Sequence, residues 1–256
     1  MVFYNCIYDT IIINKVKIVK YVEAKINFYR RGMKMEDYNI VKNDFNEISQ
    51  LDELTWNHNN CYFEHLIKLI PNNVETCLEI GCGKGELSFM LSKKSQKVIA
   101  VDLADKMIES AKVLHPNNNI SYICENILDM KFESNSFDVI ITTATAHHLP
   151  YDWLLCFAKN KLKKGGKLII LDLVKAKSLS DYIIWGSAII PNIVMNLIKN
   201  GRLQKDDAHS KEVWERHGKH DRYMTINEIK SSAQKHIPTA KVRRKLFWRY
   251  LLVWQK

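Results

Sequence analysis

Val74-Glu75-Thr76-Cys77-Leu78-Glu79-Ile80-Gly81-Cys82-Gly83-Lys84-Gly85 is a short apolar run that ends in an acid and opens into a glycine loop. An amphipathic segment carrying Leu87, Met90 and Leu91 follows, so the spacing predicts strand, tight turn, helix. The glycines let the backbone reverse sharply and let a ligand approach bare amides at a helix N-terminus. A second apolar run, Val98-Ile99-Ala100-Val101, ends in Asp102, which predicts a carboxylate at the tip of the neighbouring parallel strand. Such a carboxylate can accept hydrogen bonds from both hydroxyls of a ribose. The pair of strand tips is suited to a nucleoside.

The glycine spacing selects among nucleoside ligands. Dinucleotide loops follow Gly-x-Gly-x-x-Gly, but the sixth position here is Glu86, and no Gly-Lys-Ser/Thr stands where a phosphate loop needs it. Glu79 beside a pyrophosphate would set like charges together. It is compatible with a cationic ligand such as S-adenosylmethionine, which carries a sulfonium and an ammonium.

Glu79 to Gly85 resembles the first motif of class I S-adenosylmethionine-dependent methyltransferases, in their small-molecule branch (types 11 and 25). Val101-Asp102-Leu103 with Met107 resembles that family's ribose-binding strand end, and Glu125-Asn126-Ile127 its adenine-reading segment. Phe137-Asp138-Val139-Ile140-Ile141, running into His147-His148-Leu149-Pro150, resembles its fourth strand and substrate-side loop. Leu162-Lys163-Lys164-Gly165-Gly166-Lys167-Leu168-Ile169-Ile170 resembles its fifth strand. Two positions depart from the pattern: Asn126 stands where Asp is common, and Lys164 where Pro is common.

The resemblance implies an α/β fold, a doubly wound, mostly parallel seven-stranded sheet closed by an antiparallel hairpin. It implies S-adenosylmethionine as cofactor and S-adenosylhomocysteine as product. Gly81, Cys82 and Gly83 would offer backbone to the methionyl portion, and Glu79 would lie by the ammonium. Asp102 would hold the ribose, with Leu103 and Met107 against the adenine; Met107 fits a plain core position equally well. Asn126 and Ile127 would read the adenine edge, and Thr143 or Ala144 would line the sulfonium side.

Composition narrows the class. With 256 residues, 46% of them hydrophobic, the chain suits one domain with a sizeable core. The six cysteines lack Cys-x-x-Cys spacing, which favours reduced thiols in a cytoplasmic protein; Cys77 and Cys124 are expected in buried strands, and no metal site is indicated. No uninterrupted apolar run approaches the ~20 residues of a membrane span. The net charge of +10 is the one hint of nucleic acid. Residues 1–32 hold six basic and two acidic residues, however, and Lys241, Arg243, Arg244, Lys245 and Arg249 read as a solvated strand face. After the fourth strand stands Thr142-Thr143-Ala144-Thr145 rather than the Asn/Asp-Pro-Pro-Tyr/Phe of nucleic-acid amino-methyltransferases.

Residues 1–32 lie outside the family pattern. They read either as translated leader before a start at Met33 or Met35, or as a helix over the cofactor, and 33–256 as the methyltransferase domain. From Tyr38 to Ile70 the pattern is helical, with Leu51, Leu54, Phe63, Leu66, Ile67 and Ile70 inward; Trp56-x-His58 would lie over the methionine half of the cofactor or simply pack. Residues 178–220 exceed a simple crossover and are expected as a helical lid. Its helices, Ser180–Ala188 and Asn192–Lys199, would be separated by Pro191. In the second, Ile190, Ile193, Val194, Leu197 and Ile198 form a stripe opposite Asn192, Asn196 and Asn200. That stripe reads as core packing, as substrate cover or, third, as membrane contact. Thr225-x-x-Glu228 has capping-box spacing, and Lys241–Leu246 with Trp248–Trp254 reads as the closing hairpin.

Methyl transfer needs a base only where the acceptor must lose a proton, and histidine titrates near neutrality. His147 and His148 are delivered by the fourth strand to the ligand end of the sheet. His217-x-x-His220-Asp221 forms a second cluster: a catalytic pair, an acceptor-binding pair, or a hydrogen-bonded polar loop. A metal would need a further ligand that the spacing does not identify. The expected activity is methyl transfer to a small molecule or short peptide, with nucleic acid disfavoured. RNA methylation and noncatalytic nucleoside binding are the alternatives.

Overall fold

A computed structural model describes residues 35–51, 56–177, 179–201, 208–219 and 221–256. The chain divides into a unit Met1–Ile40, of which only the start of a helix is described, and a main unit Val41–Lys256. The expectations for residues 1–32, and those for Leu54 and His220, fall outside the described residues.

In chain order the helices are α1 (Met35–Ile48), α2 (Phe63–Leu69), α3 (Glu86–Ser92), α4 (Asp105–Leu114), α5 (Tyr151–Lys161), α6 (Leu179–Ser187), α7 (Ile189–Asn200), α8 (Ala208–Gly218) and α9 (Ile226–His236). The strands are β1 (Val74–Ile80), β2 (Ser95–Asp102), β3 (Ile120–Cys124), β4 (Phe137–Thr143), β5 (Leu162–Leu173), β6 (Lys241–Lys245) and β7 (Arg249–Gln255). They form one seven-stranded sheet in the order β3-β2-β1-β4-β5-β7-β6. β1 to β5 pair in parallel, while β7 runs antiparallel to both β5 and β6. The expected α/β architecture is therefore the one found. Strand order reverses between β1 and β4, and in such sheets ligands bind beyond the strand ends at that point.

The parallel strands are apolar on both faces, as a sheet covered by helices on each side requires. Cys77, Val98, Ala100, Val139, Ile141, Ile169 and Leu171 pack with Leu66, Ile70, Leu87, Leu91 and Ile108 from α2, α3 and α4. Leu78, Ile80, Ile140, Leu168 and Ile170, on the opposite pleat, are also solvent-free, and α5 lies on β5. Asn73 takes a left-handed φ of 61° and turns the chain into β1. The capping box forms: Thr225 Oγ1 accepts from Glu228 N–H at 3.3 Å, and Thr225 N–H donates to Glu228 Oε2 at 2.7 Å.

Several expectations are corrected. Cys124 is exposed, because β3 is the sheet edge and Cys124 its last residue. Pro191 does not separate the two helices; the break falls at Ala188, and Pro191 sits in the first turn of α7. Amides there have no intrahelical partner, so proline removes no hydrogen bond. Trp248 does not begin the second strand of the hairpin, which starts at Arg249. Phe247 and Trp248 take φ values of 57° and 61° and form the turn before β7. Arg249 is not solvated: it is buried, with Nη1 donating to the Phe247 carbonyl at 2.7 Å and Nε to Asn59 Oδ1 at 3.0 Å.

The stripe on α7 is turned inside out. Ile190 is 73% exposed and Ile198 69%, whereas Asn196 is buried. Asn200 receives the Trp56 N–H at 2.9 Å and donates to the Trp56 carbonyl at 3.0 Å, and Asn192 Oδ1 meets His58 Nε2 at 2.8 Å. Asn196 links the three by bonding Asn192 Oδ1 and Asn200 Nδ2, each at 3.0 Å. The asparagines, of which Asn196 is buried and the other two half-buried, face inward, and the isoleucines face solvent. Trp56 and His58 are accordingly held by α7 and by Phe247, whose ring stacks on His58 at 5.2 Å. Asp181–Asn200 is the one stretch among the described residues long and apolar enough to cross a membrane, by length and composition only.

Candidate active site

The turn after β1 is built from β2. Gly81 and Cys82 both donate their N–H to the Val101 carbonyl, at 2.8 and 3.1 Å, and Gly83 N–H donates to Asp102 Oδ2 at 2.9 Å. Asp102 Oδ1 accepts from Ala104 N–H at 2.9 Å. The loop amides at 81–83 are thus engaged within the protein, which corrects the expectation that they lie bare for a ligand. Gly81 has a φ of 76°, and a Cβ there would lie 2.0 Å from Thr145 Oγ1. Only glycine satisfies both constraints.

Two acids lie under this turn, Glu79 buried and Asp102 half-buried. Glu79, 2% exposed, accepts a very short hydrogen bond from Ser88 Oγ. Burial pushes its carboxyl up to about 8, the Ser88 bond opposes this, and the Asp102 charge adds to it. Burial raises Asp102 as well, against the N–H donors of Ala104, Gly83 and Leu103. A cation beside Glu79 would relieve that penalty.

The remaining cofactor expectations divide. Met107 is buried with Ile48, Ala104 and Val213, the plain core position. Ile127 is buried, while Asn126 Oδ1 already accepts the Leu128 N–H at 3.0 Å and keeps one lone pair for another donor. Leu103 follows Asp102 at the tip of β2 and its carbonyl faces Cys124 Sγ at 3.7 Å. Thr143, the last residue of β4, has a buried hydroxyl without a hydrogen-bond partner. Ala144 then takes a φ of 50°, a left-handed value that costs roughly 1–2 kcal/mol for a side chain with a Cβ. That twist carries the chain past Thr145 into the 3-10 turn Ala146–His148.

His147, His148 and His217 converge there. His147 Nδ1 lies 2.7 Å from Asp172 Oδ1 on β5. A carboxylate only accepts, so Nδ1 carries a proton there, and Nε2 faces away from Asp172. Asp221 Oδ1 lies 3.9 Å from His147 Nε2, 3.7 Å from His148 Nδ1 and 3.5 Å from His217 Nε2. Tyr223 donates a very short hydrogen bond to Asp221 Oδ2, and His217 Nδ1 stands 3.5 Å from Asp44 Oδ2 on α1. All of these side chains except Tyr223 are at most 11% exposed. Burial lowers His147, but Asp172 and Asp221 outweigh it and leave the imidazole above its ordinary value. His148 is pushed down to about 2 by burial and by the two neighbouring imidazoles.

Sequence reasoning named His147, His148, His217 and Asp221 but as two clusters, and it missed Asp44, Asp172 and Tyr223. Asp172 carried a signal: an acid in an otherwise apolar run, Leu168 to Leu173, is costly unless partnered. Asp44, more than 170 residues from His217, carried none.

A family model described as a methyltransferase domain matches residues 78–170. An uncharacterised methyltransferase of Mycobacterium bovis is 25% identical over 208 residues, covering 78% of this chain and 96% of the relative. A ubiquinone biosynthesis O-methyltransferase of Coxiella burnetii is 26% identical over 177 residues, covering 63% and 75%. An S-adenosylmethionine-dependent methyltransferase structure from Mesorhizobium loti superposes with a TM-score of 0.53 at 15% identity, covering 76% and 97%, and shares the fold.

Proposed function

Since the chain is a class I S-adenosylmethionine-dependent methyltransferase, we propose that it methylates a small-molecule acceptor bearing a proton that must leave. The observation that carries this reading is the buried histidine–carboxylate cluster, which begins two residues after Thr145, the side chain resting on the glycine turn. Cofactor sulfonium beside Thr143 and acceptor beside His147 would then be neighbours.

In this reading Glu79 and the loop carbonyls hold the ammonium, and Asp102 takes the ribose hydroxyls with its remaining lone pairs. Ile127 packs on the adenine while Asn126 reads its edge. An acceptor lone pair attacks the methyl carbon in line; the carbon–sulfur bond breaks and sulfur keeps its electron pair, giving S-adenosylhomocysteine. The acceptor proton passes to the histidine cluster, where Asp172 holds the His147 ring. The leaving group is already good, so positioning supplies most of the gain, up to roughly 7–11 kcal/mol in well-oriented cases. Helices α6 to α8 act as the lid, and α8 brings His217 with it.

A small acceptor is favoured over RNA because two of the five late basic residues are spent internally. Arg249 is buried, and Arg244 pairs with buried Asp181 at 2.5 Å. The quinone-pathway relative acts on a small molecule by its name. The test incubates the protein and S-adenosylmethionine with phenols, quinols and amines, and separately with RNA. Products one methylene heavier, with matching S-adenosylhomocysteine, are expected in the small-molecule arm. Methyl incorporation into RNA alone would overturn the reading.

A further inference from the structure

Asp221 Oδ1 is buried, lacks a hydrogen-bond donor, and faces three imidazole nitrogens at 3.5–3.9 Å. Asp172 holds the His147 ring through Nδ1, which turns Nε2 toward Asp221. A buried carboxylate oxygen without a donor is costly, and a cation held between it and the imidazole nitrogens would satisfy both. We propose that His147 Nε2, His148 Nδ1 and Asp221 Oδ1 together bind a divalent zinc-type cation.

These three donors lie within 4.8 Å of one another. Zinc at its usual distance from nitrogen and oxygen spaces tetrahedral ligands about 3.3–3.5 Å apart, so the observed 3.7 and 3.9 Å describe that tetrahedron slightly opened. The surroundings match what metal-binding imidazoles and carboxylates need, partners that fix their orientation. Asp172 holds His147, and Tyr223 holds the far oxygen of Asp221. His217 stands outside the three-ligand set, 3.5 Å from Asp221 Oδ1 and backed by Asp44. Three protein ligands leave a fourth position for water or for an acceptor oxygen, the pattern of catalytic rather than structural zinc.

The cation deepens the methyl-transfer reading, on which its catalytic use rests: a metal-bound acceptor oxygen gives up its proton more easily, and His217, outside the ligand set, is the member of the histidine cluster left to take it. Binding itself stands apart from that reading. The test titrates tag-free, chelator-treated protein with cobalt(II) chloride, which gives intense visible absorption in tetrahedral nitrogen and oxygen sites. One equivalent of cobalt is expected to produce those bands, to be displaced by zinc, and to raise the melting temperature. Asp221→Asn, isosteric with the native side chain, should abolish the bands, and Asp172→Asn should weaken cobalt affinity about 10- to 100-fold. Absence of both bands and thermal shift in the wild-type protein would overturn the proposal, as would bands that survive in Asp221→Asn. Continued S-adenosylhomocysteine formation in such a metal-indifferent protein would leave the methyl-transfer reading standing.

Discussion

The neutral carboxyl of Glu79 makes cofactor binding a proton-releasing event. Its group titrates at about 8 in the empty protein because burial disfavours the charge. An ammonium ligand requires the carboxylate, so below that value binding must expel a proton. The ligand's own α-amino group titrates near about 7.8, which limits the benefit on the alkaline side. Multiplying the two required fractions gives about 3% competent pairs at roughly pH 6.5 and about 20% near pH 7.9. Affinity should therefore rise roughly sixfold over that interval, close to 1.1 kcal/mol, and decline above it. Calorimetry in buffers of different ionisation enthalpy should show nearly one proton released per cofactor at the acidic end. Glu79→Gln should remove both the rise and the proton release. A flat wild-type profile, or the same rise in the variant, would refute the contact between Glu79 and the ammonium. The sign for the empty protein is opposite: a raised acid pKa stabilises the fold at low pH. That contribution drains away as pH climbs from the ordinary glutamate range through about 8. Thermal melts of the empty protein should show this loss, and Glu79→Gln should suppress it.

Asp102→Ala should weaken cofactor binding by more than tenfold, or ~1.4 kcal/mol, in a protein whose circular dichroism is unchanged; equal affinity by calorimetry would remove Asp102 from the ribose site. Gly81→Ala is expected to lower the melting temperature and abolish cofactor binding, since the new methyl meets Thr145 and the left-handed backbone alone costs roughly 1–2 kcal/mol. Adding Thr145→Ser would leave the hydroxyl in place and should not rescue it. Thr225→Ala removes the side-chain half of the capping box, leaving the backbone N–H bond to Glu228, and should cost about 1 kcal/mol, read as a fall of roughly 2–4 °C in melting temperature without loss of cofactor binding.

What the chain disclosed in advance follows from how far each signal travels. Strands β1, β2 and β4 were legible because each is an apolar run ending in a residue of distinctive chemistry: Gly81, Asp102 and the threonines before His147. The capping box is local within four residues, and it formed. The Asp44–His217–Asp221–His147–Asp172 convergence joins α1, α8, β5 and a loop, so no window of sequence contains it. Helical periodicity found the α7 stripe but could not say which face turns inward. That depended on Trp56 and His58 offering polar partners from far away in the chain. Arg249 likewise read as surface because nothing near it in sequence announces Asn59.

The reversed orientation of α7 has an energetic consequence. Apart from Ala188, just before it, and Met195, which touch the Trp56–Phe247 cluster, its grip on the rest of the protein is a zip of amides. Each such bond trades with water at a net cost of only about 0.5–1.5 kcal/mol. The isoleucine face is wet already, so the apolar surface that swinging the helix away would uncover is confined to the Trp56–Phe247 cluster under Ala188 and Met195. A helix fastened in this manner comes away at less cost than one held by a wholly apolar face.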